Sequence, residues 1–238
     1  MSDWTAKRFW TEVNVSETNG GFGIALDGRA VKTPAKAALV VPTRALAEKI
    51  AAEWDAVDKV VNPETMPFTR SANAAIDKVA EQHTEVAHLL TEYGGSDLLC
   101  YRAESPAELV ALQMAGWDPV LQWAADALGA PLVTGQGILP ISQPESSLAR
   151  LGELVAQQDA FSLTGFHDLV AMTGSLVLAL AVTHGQLKPN QAWDLSRIDE
   201  DWQISQWGDD DEALAVASRK RSAFLHADTF CRLARNTG

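Results

Sequence analysis

Apolar and polar positions change rhythm once along this chain. From Trp10 through Val13 and Val15 they alternate, the period of a half-buried strand. Asn19-Gly20-Gly21 interrupts that run and Phe22 to Leu26 resumes it. Asp27-Gly28 then supplies what a tight hairpin needs, two central residues that tolerate positive φ. Ala30 to Thr33 is expected to pair back, Pro34 to interrupt, and Leu39-Val40-Val41 to form another strand. Residues 8–41 are thus expected to be mostly strand.

From Thr43 the period becomes helical. Thr43 is placed as the cap of a helix whose buried stripe is Leu46, Ile50, Trp54 and Val57. Asn62-Pro63 and Met66-Pro67 predict a stiff, extended connector. A long helix is expected over 71–93, with Ile76, Val79, His83, Val86 and Leu90 on one face and Gly94-Gly95 as its stop. Pro106 opens a helix through Met114, and Asp118-Pro119 reads as cap and first residue of another, ended by Gly129. Residues 130–143 are the least regular and suggest a short hairpin. Helices follow over 145–157, 164–183 and 190–206. In the last helix Asp209 caps and Glu212 completes a capping box, above a stripe of Ala213, Ala217, Phe224, Ala227, Cys231 and Ala234. The predicted fold class is α+β: a small N-terminal antiparallel β domain, residues 1–70, and a larger, mainly α-helical domain, residues 71–238.

Composition narrows what such a fold can do. The 238 residues are 47% hydrophobic and 21% charged, ordinary for a globular protein. The net charge of -12 argues against a nucleic-acid backbone as partner and permits a basic protein surface. Cys100 and Cys231 have no C-x-x-C spacing, so neither a thiolate zinc site nor a disulfide framework is indicated. Residues 169–182 are uncharged and mostly apolar but too few to span a bilayer. They read as a buried core helix.

Catalytic signals are thin. Gly20-Gly21-Phe22-Gly23 fits neither nucleotide fingerprint, and no Gly-x-Ser-x-Gly elbow occurs. His83 and His88 are five apart and point to different helix faces, so no ligand pair is implied. The sequence calls for no cofactor, no metal and no catalytic residue. One enzymatic alternative stays open, a hydrolase drawing paired carboxylates from Asp199 to Asp201 or Asp209 to Glu212.

Those carboxylates belong to the most unusual stretch, residues 193–212. It holds eight acids and three tryptophans against one arginine. Tryptophan concentrates interface energy, so apolar anchors ringed by negative charge suggest a docking surface. A purely structural element has the same composition.

Several strings resemble one family. LDGRAVKTPAKAALVVP (26–42), EWDA (53–56), MPFTRSANAAID (66–77), DLLCYRAESPAEL (97–109), QMAGWDPVLQWA (113–124) and LSRIDEDWQISQWGDDDEA (195–213) are similar to the assembly chaperones that act on the alpha subunit of the ATP synthase catalytic head. The strings come in family order and cover nearly the whole chain. The resemblance implies a non-enzymatic holdase that binds unassembled alpha subunit, prevents its aggregation and releases it by exchange for beta subunit. It implies partner-binding roles for Glu200, Trp202, Trp207, Asp209, Asp211, Glu212 and Trp54. Trp54 also lies on a predicted buried stripe, and Glu200 is three residues from Arg197, an internal ion-pair alternative. The start of the chain resembles a bacterial member acting in the cytoplasm as a monomer, the organellar members working in the mitochondrial matrix. A structural subunit of the finished synthase is the remaining alternative.

Overall fold

The computed structural model describes residues 7–137, 139–208 and 210–235. By packing, these fall into two compact units. One takes the described residues through His83, Asp159–Gly165 and the described residues from Thr229 onward; the other takes Thr84–Gln158 and Phe166–Asp228.

The first unit is built on an antiparallel sheet. Strands β1 (Val13–Thr18), β2 (Gly21–Leu26) and β3 (Arg29–Ala30) follow one another, and β4 (Val40–Val41) also pairs with β2. Val13 faces Leu26 and Val15 faces Ile24 across the first hairpin, the register that the alternation requires. The Asp27-Gly28 turn has φ of 47° and 77°, as that dipeptide predicts. Asp27 does more than turn the chain: its carboxylate accepts from the backbone N–H groups of Thr11 and Glu12. Those bonds hold its pKa below the usual value. Gly21 is needed because a Cβ there would meet the Val41 carbonyl oxygen at 2.3 Å. Regular strand covers less of 8–41 than expected. Pro34 and the Asp27-Gly28 turn reduce β3 to two residues, leaving Lys32 and Ala38 joined by a single bridge.

Helix α1 (Arg44–Asp55) begins where Thr43 Oγ1 accepts the Leu46 N–H at 3.1 Å. Leu46 and Ile50 are fully buried against Ile24, Leu39 and Val41, and Phe230 and Ala234 complete the same core. Trp54 is half-buried rather than enclosed, because it sits in the last turn of α1 at the rim of that core. It packs against Trp10, with ring centroids 5.3 Å apart.

The extended connector is absent. Pro63–Thr65 is a 3₁₀ turn capped by Asn62, and Pro67 starts helix α2 (Pro67–Ala74). Both prolines sit at helical first positions, where their missing N–H costs nothing. Glu53 caps α2 from outside, accepting from Phe68 N at 2.7 Å and Thr69 N at 2.8 Å. The single long helix over 71–93 is also corrected. After α2 a π turn (Ala75–Val79) shifts the face, and the chain turns before α3 (His83–Glu92). The buried positions become Ala72, Ala75, Ala87 and Leu90.

In the second unit the spine is α4 (Ala107–Trp123), followed by a π turn that Gly129 ends at φ 70°. Two helices were expected here, but Pro119 lies inside one. It forgoes one backbone bond to the preceding turn, and Asp118, instead of capping, takes Arg102 Nη2 at 2.7 Å. Burial offsets that loss. Trp117 is fully buried and donates its indole N–H to the Leu195 carbonyl at 2.8 Å. Among the described residues of 130–143 no hairpin forms: β6 (Gly135–Gln136) pairs in parallel with β5 (Tyr101–Arg102).

Helix α5 (Glu145–Ala156) is as predicted, but the apolar helix is two, α6 (Ala160–Thr173) and α7 (Leu176–Thr183). Gly174 breaks it at φ 66° and Ser175 Oγ recaps at Leu178 N. Every residue from Leu176 to Val182 is buried. Asp97 is wholly buried beside α7, accepting from Leu99 N and Val177 N at 3.0 Å each, and desolvation pushes its pKa up to about 6. Among the described residues no helix is long and apolar enough to cross a membrane. Across the described residues the architecture is that of the expected fold class, a small N-terminal antiparallel sheet followed by a larger helical region.

Candidate docking groove

The acidic stretch takes part in three helices, because the single helix expected over 190–206 is divided in two before the last. They are α8 (Pro189–Ser196), α9 (Ile198–Trp207) and α10 (Asp211–Ala234). Arg197, at φ -114° and ψ 10°, separates the first two. Its guanidinium lies over the Trp193 ring and its Nε reaches Asp201 at 3.3 Å. The alternative of an internal Arg197–Glu200 pair is therefore not what forms; Arg197 takes Asp201, one residue further along. Among the described residues Glu200 forms no ion pair.

The start of α9 is firmly held. Trp193 is buried against Phe224, and the buried Gln113 donates to Asp199 at 2.6 Å while accepting from Ala103 N. Gly116 lets α4 come close, since a Cβ there would lie 2.8 Å from both Ile198 and Leu195. Beyond this the hairpin leaves the core. No residue of α9 is buried, and α10 has no buried residue before Phe224.

Between α9 and the first turns of α10 runs a groove of about 620 Å³. Ile204, Ala213, Val216 and Ala217 give it an apolar lining; Glu200, Asp210 and Glu212 add acids, Arg197 and Lys220 cations. Trp207 lines it beside the turn that joins the two helices, 80% exposed. Gly208 turns the chain at φ 87°, and Asp210 Oδ1 caps α10 by accepting Glu212 N at 2.8 Å.

Of the residues singled out from the sequence, the groove brings together Glu200, Trp207 and Glu212. Asp211 is exposed in the first turn of α10 without lining it. Trp202 is half-buried on α9, off the groove, and Trp54 belongs to the first unit. Asp209 lies outside the described residues. The cap observed at Glu212 comes from Asp210, which puts Glu212 two positions after the cap instead of the three that a capping box requires. Ala213 and Ala217, expected on a core stripe, line the groove instead. The available signal was a stripe whose members before Phe224 are alanines alone.

The carboxylates with raised pKa values, Asp97 and Glu53, lie elsewhere and serve as backbone caps. Among the described residues no group of three or more His, Cys, Asp or Glu could hold a metal ion.

The profile of a family described as ATP12 chaperone protein matches residues 7–125, half of the chain. The mitochondrial protein atp12 of Schizosaccharomyces pombe is 26% identical over 219 residues, covering 87% of this chain and 75% of its own length. The crystal structure of Atp12 from Paracoccus denitrificans is 47% identical, with a TM-score of 0.94 over 97% of this chain and 99% of that one. A single-substitution mutant of the Paracoccus protein gives a TM-score of 0.95 at 47% identity, over 98% and 100% of the two chains. Half of the sequence matched by the family profile, together with near-complete superposition on relatives close to half identical, makes this chain a member of the ATP12 chaperone family.

Proposed function

We propose that this protein is an assembly chaperone of the ATP synthase catalytic head, capturing unassembled alpha subunit on the α9–α10 hairpin. The observation that carries the location is Trp207, an 80% exposed indole lining one groove with Glu200 and Glu212. A large apolar side chain held in water beside free charge is a poor fold element and a good anchor. Chaperone activity itself rests on family membership. In this reading Trp207 buries itself in the client, Glu200 and Glu212 receive its cations, and Asp211 adds to the acidic rim. Trp202 and Trp54 support the scaffold. Release follows when beta subunit takes the client's surface, without nucleotide chemistry in the chaperone. The bacterial cytoplasm as site of action and a monomeric free state belong to the same proposal, supported by likeness to a bacterial relative.

Titration of purified, monomeric alpha subunit against wild type and Trp207→Ala tests it. A stoichiometric wild-type complex, weakened roughly tenfold or more by a variant of unchanged melting temperature, is the expected result. No complex with wild type would overturn the function. Equal affinity for both would remove Trp207 from the contact surface.

A further inference from the structure

The groove also says what kind of segment it can hold. We infer that its occupant is one amphipathic helix of the client, about three turns long, seated with its N-terminal end at the Asp210–Glu212 turn end. This rests on the reading of α9–α10 as the capture surface and adds the occupant's conformation and direction.

Backbone chemistry selects a helix. Both walls are helices, whose N–H and C=O groups bond within themselves, so they have no strand edge to offer an extended peptide. A segment buried there must satisfy its own backbone, and a helix does so. Length follows from α9, whose ten residues span about 15 Å, close to three helical turns. The middle of the groove fits such a partner. Ala213 and Ala217 are small enough to let a helix approach closely, while Ile204 and Val216 supply apolar contact.

Direction follows from charge. Asp210, Asp211 and Glu212 crowd the turn end, and at the other end Arg197 and Lys220 line the groove beside one acid, Glu200. A helix carries partial positive charge at its N-terminus and negative at its C-terminus. The N-terminal end, with any lysine or arginine in its first turn, therefore belongs at the acidic turn end. A second copy of this chain is a poor occupant. Each copy carries a net charge of -12, and pairing two such hairpins would oppose acid with acid.

Two labelled model peptides of about 18 residues, long enough to hold some helix in water, test the inference. Both carry a leucine stripe at helical spacing; one has lysines in its first turn and glutamates in its last, the other the reverse. Each is titrated by fluorescence anisotropy against the full chain, Glu212→Lys, Lys220→Glu and Val216→Asp, at low salt, with circular dichroism to confirm folding. The lysine-first peptide should bind wild type, and Glu212→Lys should weaken it roughly tenfold while favouring the glutamate-first peptide. Lys220→Glu, at the far end, should act in the same sense. Val216→Asp should abolish both. The crossed comparison cancels any difference in intrinsic helicity between the peptides.

Failure of either peptide to bind wild type, equal effects of Glu212→Lys on both, or binding that survives Val216→Asp would overturn the inference. So would sedimentation that shows wild type dimerising and Val216→Asp monomeric, since a second copy would then fill the groove. Capture of alpha subunit is scored separately. Capture with peptides ignored leaves the chaperone function standing and removes the helix; the opposite pattern keeps the helix and removes the client.

Discussion

At the scale of single residues, Asp97 carries the clearest pH dependence. Its folded pKa, about 6, exceeds the ordinary value of 3.8, so the folded chain holds this proton more tightly than the unfolded one. Its contribution to stability is then greatest below the unfolded value and falls as pH rises through about 6, by on the order of 3 kcal/mol in all. Denaturant melts of wild type and Asp97→Asn between pH 4 and 7 should show that slope in the first and its loss in the second. The asparagine should be less stable throughout, because one of the two backbone donors now bonded to Asp97 loses its acceptor. Trp54→Ala should cost about 3 kcal/mol in the same melts, the low end for a tryptophan truncation, since the ring is only half enclosed. An unchanged midpoint would deny it a packing role. Sequence spacing placed Trp54 on the right stripe. It could not show that the helix ends one residue later and leaves the ring at a rim.

At the scale of elements, caps were more legible than breaks. Thr43 and the Asp27-Gly28 turn declare themselves because a single side chain or dipeptide determines the geometry. The division between α6 and α7 was hidden inside an uncharged, mostly apolar run, where Gly174 and Ser175 read as part of the buried helix. Pro119 misled in the other direction. Its local cost is real, but a buried Trp117 bonded to Leu195 outweighs it. At α10 the cap lies one residue after the predicted Asp209, giving a contrast that can be measured. Asp210→Ala should loosen the first turn by about 1 kcal/mol, whereas Glu212→Ala should leave the cap intact. Amide exchange in residues 211–216 separates the two. Equal protection in both variants would deny Asp210 its capping role.

At the scale of the whole molecule, the fold class was readable and the groove was not. Periodicity identified helices, yet a groove is a relation between two of them, and nothing in the sequence says that α10 leaves its first three turns unpacked. Family resemblance supplied Glu200, Trp207 and Glu212 without their arrangement. Since Glu200 is exposed and unpaired among the described residues, Glu200→Lys should melt within about 0.5 kcal/mol of wild type. It should also weaken alpha-subunit capture, more at low salt than at high, as an attraction across water requires. Equal affinity at both salt concentrations would make Glu200 a bystander.

The sheet at the front of the chain and the end of α10 share one core, and Thr43 donates to the Leu233 carbonyl across 190 positions of sequence. During synthesis, then, the first unit cannot finish folding as it leaves the ribosome. It must wait, with Ile24, Leu39 and Val41 exposed, while some 190 further residues are added, on the order of ten seconds or more at ordinary elongation rates. A protein that shields the unfinished surfaces of others thus carries an unfinished surface of its own for as long as it is being made.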